Sequence, residues 1–91
     1  MCGFCAIASK KENRIKKADL EKMLKSISHR GPDSQNYLTL DNFSGGFARL
    51  SIIDIHKRSN QPFHDQNSYI LFFNGEIYNY KQIKSHLVQK G

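Results

Sequence analysis

Two short strings hold the residues best suited to chemistry: Met1-Cys2-Gly3-Phe4 at the start, and Asn74-Gly75-Glu76-Ile77-Tyr78-Asn79 behind the last strand-like run. Removal of Met1 would leave Cys2 with both a thiol and a free α-amine. In reference peptides a thiol ionises at about 8.5 and an α-amine at about 7.7 to 8.0, so near neutral pH the amine can act as base toward a mostly protonated thiol. Nucleophile and base would then share one residue, with the chain terminus in the place of a triad histidine. Each string also has an ordinary reading. A cysteine in an apolar run is commonly a small buried hydrophobe, and Asn-Gly is a common hairpin pair. Position two favours the chemical reading of Cys2, and the helix-like stretch after Asn74-Gly75 argues against a tight hairpin. Cys2 and Cys5 have C-x-x-C spacing, but residues three apart on a strand face opposite sides, which disfavours a redox or zinc pair. His29, His56, His64 and His86 lack a paired spacing suited to one metal and read as surface or loop residues, with His29 near enough to shape a pocket loop.

The elements that must position these residues come from a chain of 91 amino acids, 38% hydrophobic and 24% charged. That is one small α+β unit, which buries only about 60 to 65% of its unfolded surface. Cys2 to Ala8 reads as a buried strand. Leu20, Met23, Leu24 and Ile27 recur at helical spacing, with Asp19 near the start and Gly31-Pro32 as the stop. Tyr37, Leu38 and Leu40 imply a second strand, Gly45 to Ile55 a third, and Tyr69 to Phe73 a fourth that ends at Asn74-Gly75. His56 to Asn67, with Pro62, reads as a long polar connection. Asn79 can cap a last helix with Gln82 at its third position, a stripe of Tyr80, Ile83 and Leu87, and Gly91 as the stop.

The formal charge of +6 raises the possibility of phosphate-bearing partners. Its distribution lowers it: Lys10, Lys11, Arg14, Lys16 and Lys17 fall in a loop and helix start, and Lys81, Lys84 and Lys90 lie on the last helix, as solvated faces do. Neither nucleic acid nor membrane is the expected partner. No apolar run approaches the roughly 20 residues that span a bilayer, and no secretory leader is visible, so a cytoplasmic location is expected.

Four strings, in order and spacing, make the chain resemble the amino-terminal glutaminase domain of the glutamine-hydrolysing asparagine synthetases, within the class II glutamine amidotransferases. They are Met-Cys-Gly-Phe, His29-Arg30-Gly31-Pro32-Asp33, Arg49-Leu50-Ser51-Ile52-Ile53-Asp54 and Asn74-Gly75-Glu76-Ile77-Tyr78-Asn79. The second and third favour the asparagine synthetase branch over the branches that serve sugar phosphates and purines. The resemblance covers residue 2 to about residue 80.

What the resemblance implies attaches residue by residue. Cys2 would attack the side-chain amide of glutamine, giving ammonia and glutamate through a thioester. Asn74 and Gly75 would form the oxyanion hole, Arg49 would pair with the substrate α-carboxylate, and Glu76 would accept from its α-ammonium group. The backbone of Leu50, Ser51, Ile52 and Ile53 would line the same pocket. The segment before Arg49 often holds a histidine in relatives, but Gly46-Phe47-Ala48 has none, so different local hydrogen bonding is expected there. The implied fold is part of a four-layer αββα sandwich of antiparallel sheets, with residues 1–91 as the N-terminal part of the glutaminase domain. No cofactor is implied for the glutaminase step, while ATP and Mg would belong to the synthetase region of a longer parent. Another ammonia acceptor, or a non-catalytic interaction module of the same fold, remains an alternative. Open strand edges and unburied apolar faces imply self-association of the isolated piece.

Overall fold

A computed structural model describes residues 1–11, 14–52, 54–66 and 68–91. The opening apolar run forms β1 (Gly3–Ala8), and the helical repeat forms α1 (Lys17–Ser26). A 3-10 turn follows at Ser28–Arg30, then β2 (Ser34–Thr39) and β3 (Phe43–Arg49). These three strands make one antiparallel sheet in the order β1-β3-β2. Its register sets Gly3 opposite Ala48, Cys5 opposite Gly46, and Ser34 opposite Arg49.

α1 covers one face of this sheet. Its four-residue spacing turns Leu20 and Leu24 inward, where both are buried with Ala48, while Met23 and Ile27 are half-buried at the margin. Close packing is possible because Gly46 has no side chain: a Cβ there would stand 2.7 Å from Leu24. The next residue along, Gly45, points to the opposite face, where a Cβ would stand 2.5 Å from the Phe72 ring. Phe72 also packs against Phe4 and Phe43, with ring centroids 5.8 and 6.3 Å away.

Phe72 lies just beyond a second, two-stranded antiparallel sheet, β4 (Phe63–His64) with β5 (Ile70–Leu71). The arrangement is α+β with antiparallel pairing: a helix on one face of the three-stranded sheet and the Phe72 ring, one residue past the short second sheet, on the other. α2 (Tyr80–Lys90) closes the chain. Its stripe of Tyr80, Ile83 and Leu87 stays exposed, at 47, 42 and 60%. Asn79 is its N-cap through the backbone, its carbonyl accepting from the Gln82 and Ile83 N–H groups, without a side-chain cap bond. No helix of the described residues is long and apolar enough to cross a membrane.

Two strands are shorter than the sequence pattern predicts, for a common reason: side chains take the backbone groups a ladder would use. The third ends at Arg49 rather than Ile55, because the Leu50 N–H donates to Cys2 Sγ and the Ser51 N–H to Asp33 Oδ2. The fourth is confined to Ile70–Leu71. At its start the Tyr69 N–H donates to Asp65 Oδ1 and the Tyr69 carbonyl accepts from the Asp65 N–H. At its end Phe73 is engaged by the Gln61 side chain. The stretch expected as a plain connection, His56 to Asn67, contains a 3-10 turn at Lys57–Ser59 and all of β4.

Candidate active site

The site forms where the ends of β1, β3 and the segment after β5 meet. Cys2, one residue before β1, has its sulfur against Leu50: the Leu50 N–H donates to Sγ at 3.3 Å, and the S–H donates to the Leu50 carbonyl at 3.5 Å. From the other side Arg30 Nε donates to the Cys2 carbonyl at 3.1 Å. Arg30, rather than His29, therefore ties the 3-10 turn to the terminus. Cys5 remains a separate free thiol; burial pushes it up, against a smaller opposing effect of the Gly46 backbone.

Gly31 holds this corner together. A Cβ on it would fall 2.1 Å from the Ala48 carbonyl carbon and 2.3 Å from the Arg49 nitrogen, so the turn lies directly on β3. That contact lets Pro32 bridge to Arg49 and the Asp33 N–H donate to the Arg49 carbonyl at 3.0 Å. The His-Arg-Gly-Pro-Asp string thus braces the end of the strand carrying Arg49.

Arg49 is only 7% exposed. Its Nη1 donates to the His56 carbonyl at 3.0 Å and to Asn60 Oδ1 at 2.6 Å, and Asn60 Oδ1 also accepts from Ser34 Oγ at 3.3 Å. Neither Nε nor Nη2 has a partner among the described residues, which leaves one side of the planar fork for a carboxylate.

Cys2, Arg49, Leu50 and Ile52 line a cavity of about 330 Å³ together with Asn74, Gly75 and Glu76. That volume lies at the lower end for small-molecule sites. Ser51 is not part of the lining, since its backbone turns to Asp33. Ile53 lies outside the described residues. The wall also includes Asp54, Ser59, Gln61 and Phe63, which sequence reasoning did not select. Asp54 carried the end of a recognised string. The other three, like Asn60, sit in a stretch whose composition signals only a loop, so no local pattern marks them.

The charges in this wall have an order. Arg49 supplies a cation, and Glu76 and Asp54 supply carboxylates. The Asp54 carboxyl is held far below the usual carboxylate range, first by the His56 backbone N–H and then by the Arg58 and Ser59 side chains. Arg58 Nε stands 2.9 Å from it. Asp54 therefore stays ionised, committed to fixing its own loop. A cation and two carboxylates therefore line the same cavity as a thiol and a side-chain amide.

Comparison with known proteins finds a family match and several relatives. The family described as glutamine amidotransferase domain matches residues 1–91. Asparagine synthetase (glutamine-hydrolyzing) 1 of Bacillus subtilis is 38% identical over 95 residues, covering all of this chain and 15% of the relative. A probable asparagine synthetase of Acanthamoeba polyphaga mimivirus is 36% identical over 87 residues, 91% of this chain and 16% of the relative. Amidase chyE of Penicillium rubens is 40% identical over 73 residues, 79% of this chain and 11% of the relative. The chain spans no more than 16% of these relatives' lengths. No solved structure matches it.

Proposed function

The chain belongs to the glutamine amidotransferase domain family, and on that premise we propose that its cavity hydrolyses glutamine through a γ-glutamyl thioester on Cys2. The observation that carries the reading is the convergence of Cys2, Arg49, Asn74, Gly75 and Glu76 on one small cavity from three separate parts of the chain.

With Met1 removed, the freed α-amine takes the Cys2 thiol proton. The sulfur attacks the substrate's amide carbon, an S–C bond forms, and the carbonyl π pair moves onto oxygen. The Asn74 side-chain N–H and the Gly75 backbone N–H stabilise that oxyanion, each such donor contributing about 2.7 to 4 kcal/mol in comparable sites. Collapse breaks the C–N bond, and the α-ammonium returns its proton to the departing ammonia. Water gives a proton to the same amine as it attacks the thioester, the C–S bond breaks, the α-ammonium returns that proton to the Cys2 sulfur, and glutamate leaves. Arg49 binds the α-carboxylate and Glu76 accepts from the α-ammonium group. While Met1 remains, the Cys2 nitrogen is an amide and cannot act as this base.

The ammonia would pass to an activated aspartate in the remainder of a longer asparagine synthetase-type protein. ATP and Mg would act in that remainder, and none of the residues described is assigned to them. Similarity to a protein named an amidase supports a second reading, in which the same glutaminase chemistry serves a different acceptor. Residues 1–91 alone would self-associate through the open edges of their sheets and the exposed face of α2. Sedimentation of a stable monomer would refute this.

The test of function uses the protein as its gene encodes it. Cys2→Ala should abolish glutamate release from glutamine and spare any use of free ammonia. Persistent glutamate release would overturn the mechanism.

A further inference from the structure

We infer that Gln61 is a positioning residue of the oxyanion-stabilising wall, an inference that rests on the glutaminase reading above. β4 and β5 pair with Phe63 opposite Leu71 and His64 opposite Ile70. Continuing that register by two residues sets Gln61 opposite Phe73. The backbone ladder does not reach that rung.

The Gln61 side chain supplies the rung instead. Its Oε1 accepts from the Phe73 N–H at 2.6 Å, and its Nε2 donates to the Phe73 carbonyl at 2.8 Å. A primary amide here reproduces the paired donor and acceptor of a neighbouring strand. Phe73 immediately precedes Asn74, and its carbonyl belongs to the peptide that carries the Asn74 nitrogen. Holding that carbonyl fixes the plane of the peptide leading into Asn74-Gly75, the backbone from which both donors extend. Gln61 and Asn74 line the same cavity, so the brace lies beside the donors it aims.

No contact from Gln61 to the substrate is needed for this role, and its signature in kinetics follows. Misaiming a donor weakens the interaction that exists only after attack, whereas Arg49 and Glu76 continue to hold the ground state. A displacement of about 1 Å can cost about a hundredfold in rate. Gln61→Met keeps side-chain length and removes both hydrogen bonds. Gln61→Asn keeps the amide and shortens its reach by one methylene.

In the protein as its gene encodes it, either variant should lower kcat for glutamine hydrolysis by about 10- to 100-fold. The KM should stay within about threefold of the parent. Alkylation of Cys2 by iodoacetamide displaces iodide at a saturated carbon and creates no oxyanion, so its rate should stay at the parental value. Parental kcat in both variants would overturn the inference, as would a raised KM at unchanged kcat. Parallel loss of hydrolysis and alkylation would also overturn it, because it marks general disruption. A parent that alkylates at Cys2 but releases no glutamate from glutamine would overturn the glutaminase reading itself, whatever the variants do.

Discussion

Asn60→Ala separates the aiming of Arg49 from everything else in the cavity. Asn60 Oδ1 lies 2.6 Å from Arg49 Nη1, and the guanidinium it holds is only 7% exposed. A hydrogen bond to a charged group contributes about 1.5 to 3 kcal/mol. The lower end applies, because Asn60 is half-buried and the His56 carbonyl still accepts from the same Nη1 at 3.0 Å. About 1.5 kcal/mol corresponds to roughly tenfold in an equilibrium constant. That loss should appear as a KM for glutamine raised by up to about tenfold, with kcat within about twofold, since among the described residues the Asn60 side chain bonds to Arg49 and Ser34 and not to Cys2 or Asn74. Steady-state glutamate release over a range of glutamine concentrations measures both constants. A parental KM would refute the claim that Asn60 directs Arg49 to the substrate. A fall in kcat at constant KM would relocate its influence to the nucleophile.

Two further outcomes follow from the structure. Gly31→Ala places a methyl carbon 2.1 Å from the Ala48 carbonyl carbon; because the neighbour is backbone, the cost should reach about 3 kcal/mol, the upper end for overpacking. Urea unfolding with parental stability would show that the turn does not lie on β3. The second concerns acid. Asp54 has a folded-state carboxyl held below its unfolded value, so its contribution is fully present above the usual carboxylate value of about 3.9 and is lost as pH falls toward the depressed folded value. Asp54→Asn should therefore flatten the fall of melting temperature below about pH 4, and an unchanged acid limb would contradict that linkage.

Much of the scaffold was legible because α1 and β1 express their burial locally. The Leu20 and Leu24 spacing and the run from Cys2 to Ala8 each predict an element close to the observed one. The ends of β3 and β5 were not legible, because an apolar residue such as Ile52 or Tyr69 carries no mark of a carboxylate competing for a nearby N–H. Asp33, 18 positions before Ser51, imposes one of those endings from another part of the chain, and Asp65 acts across a turn of four residues. The same asymmetry governs the site. Cys2, Arg49, Asn74, Gly75 and Glu76 stood out because they belong to recognisable strings. Asn60 and Gln61 act through residues 11 and 12 positions away, at distances where spacing alone has no periodic signature.

The consecutive glycines of β3 make the middle of the sheet a thin septum. Leu24 presses on one side of it at Gly46 and the Phe72 ring on the other at Gly45, so these two side chains nearly meet across bare backbone. Material added to either side has nowhere to go except outward, and Phe72 is tethered through Phe73 to the cavity wall. A larger side chain at Leu24, which is buried against Gly46, should thus be read out in turnover as well as in melting.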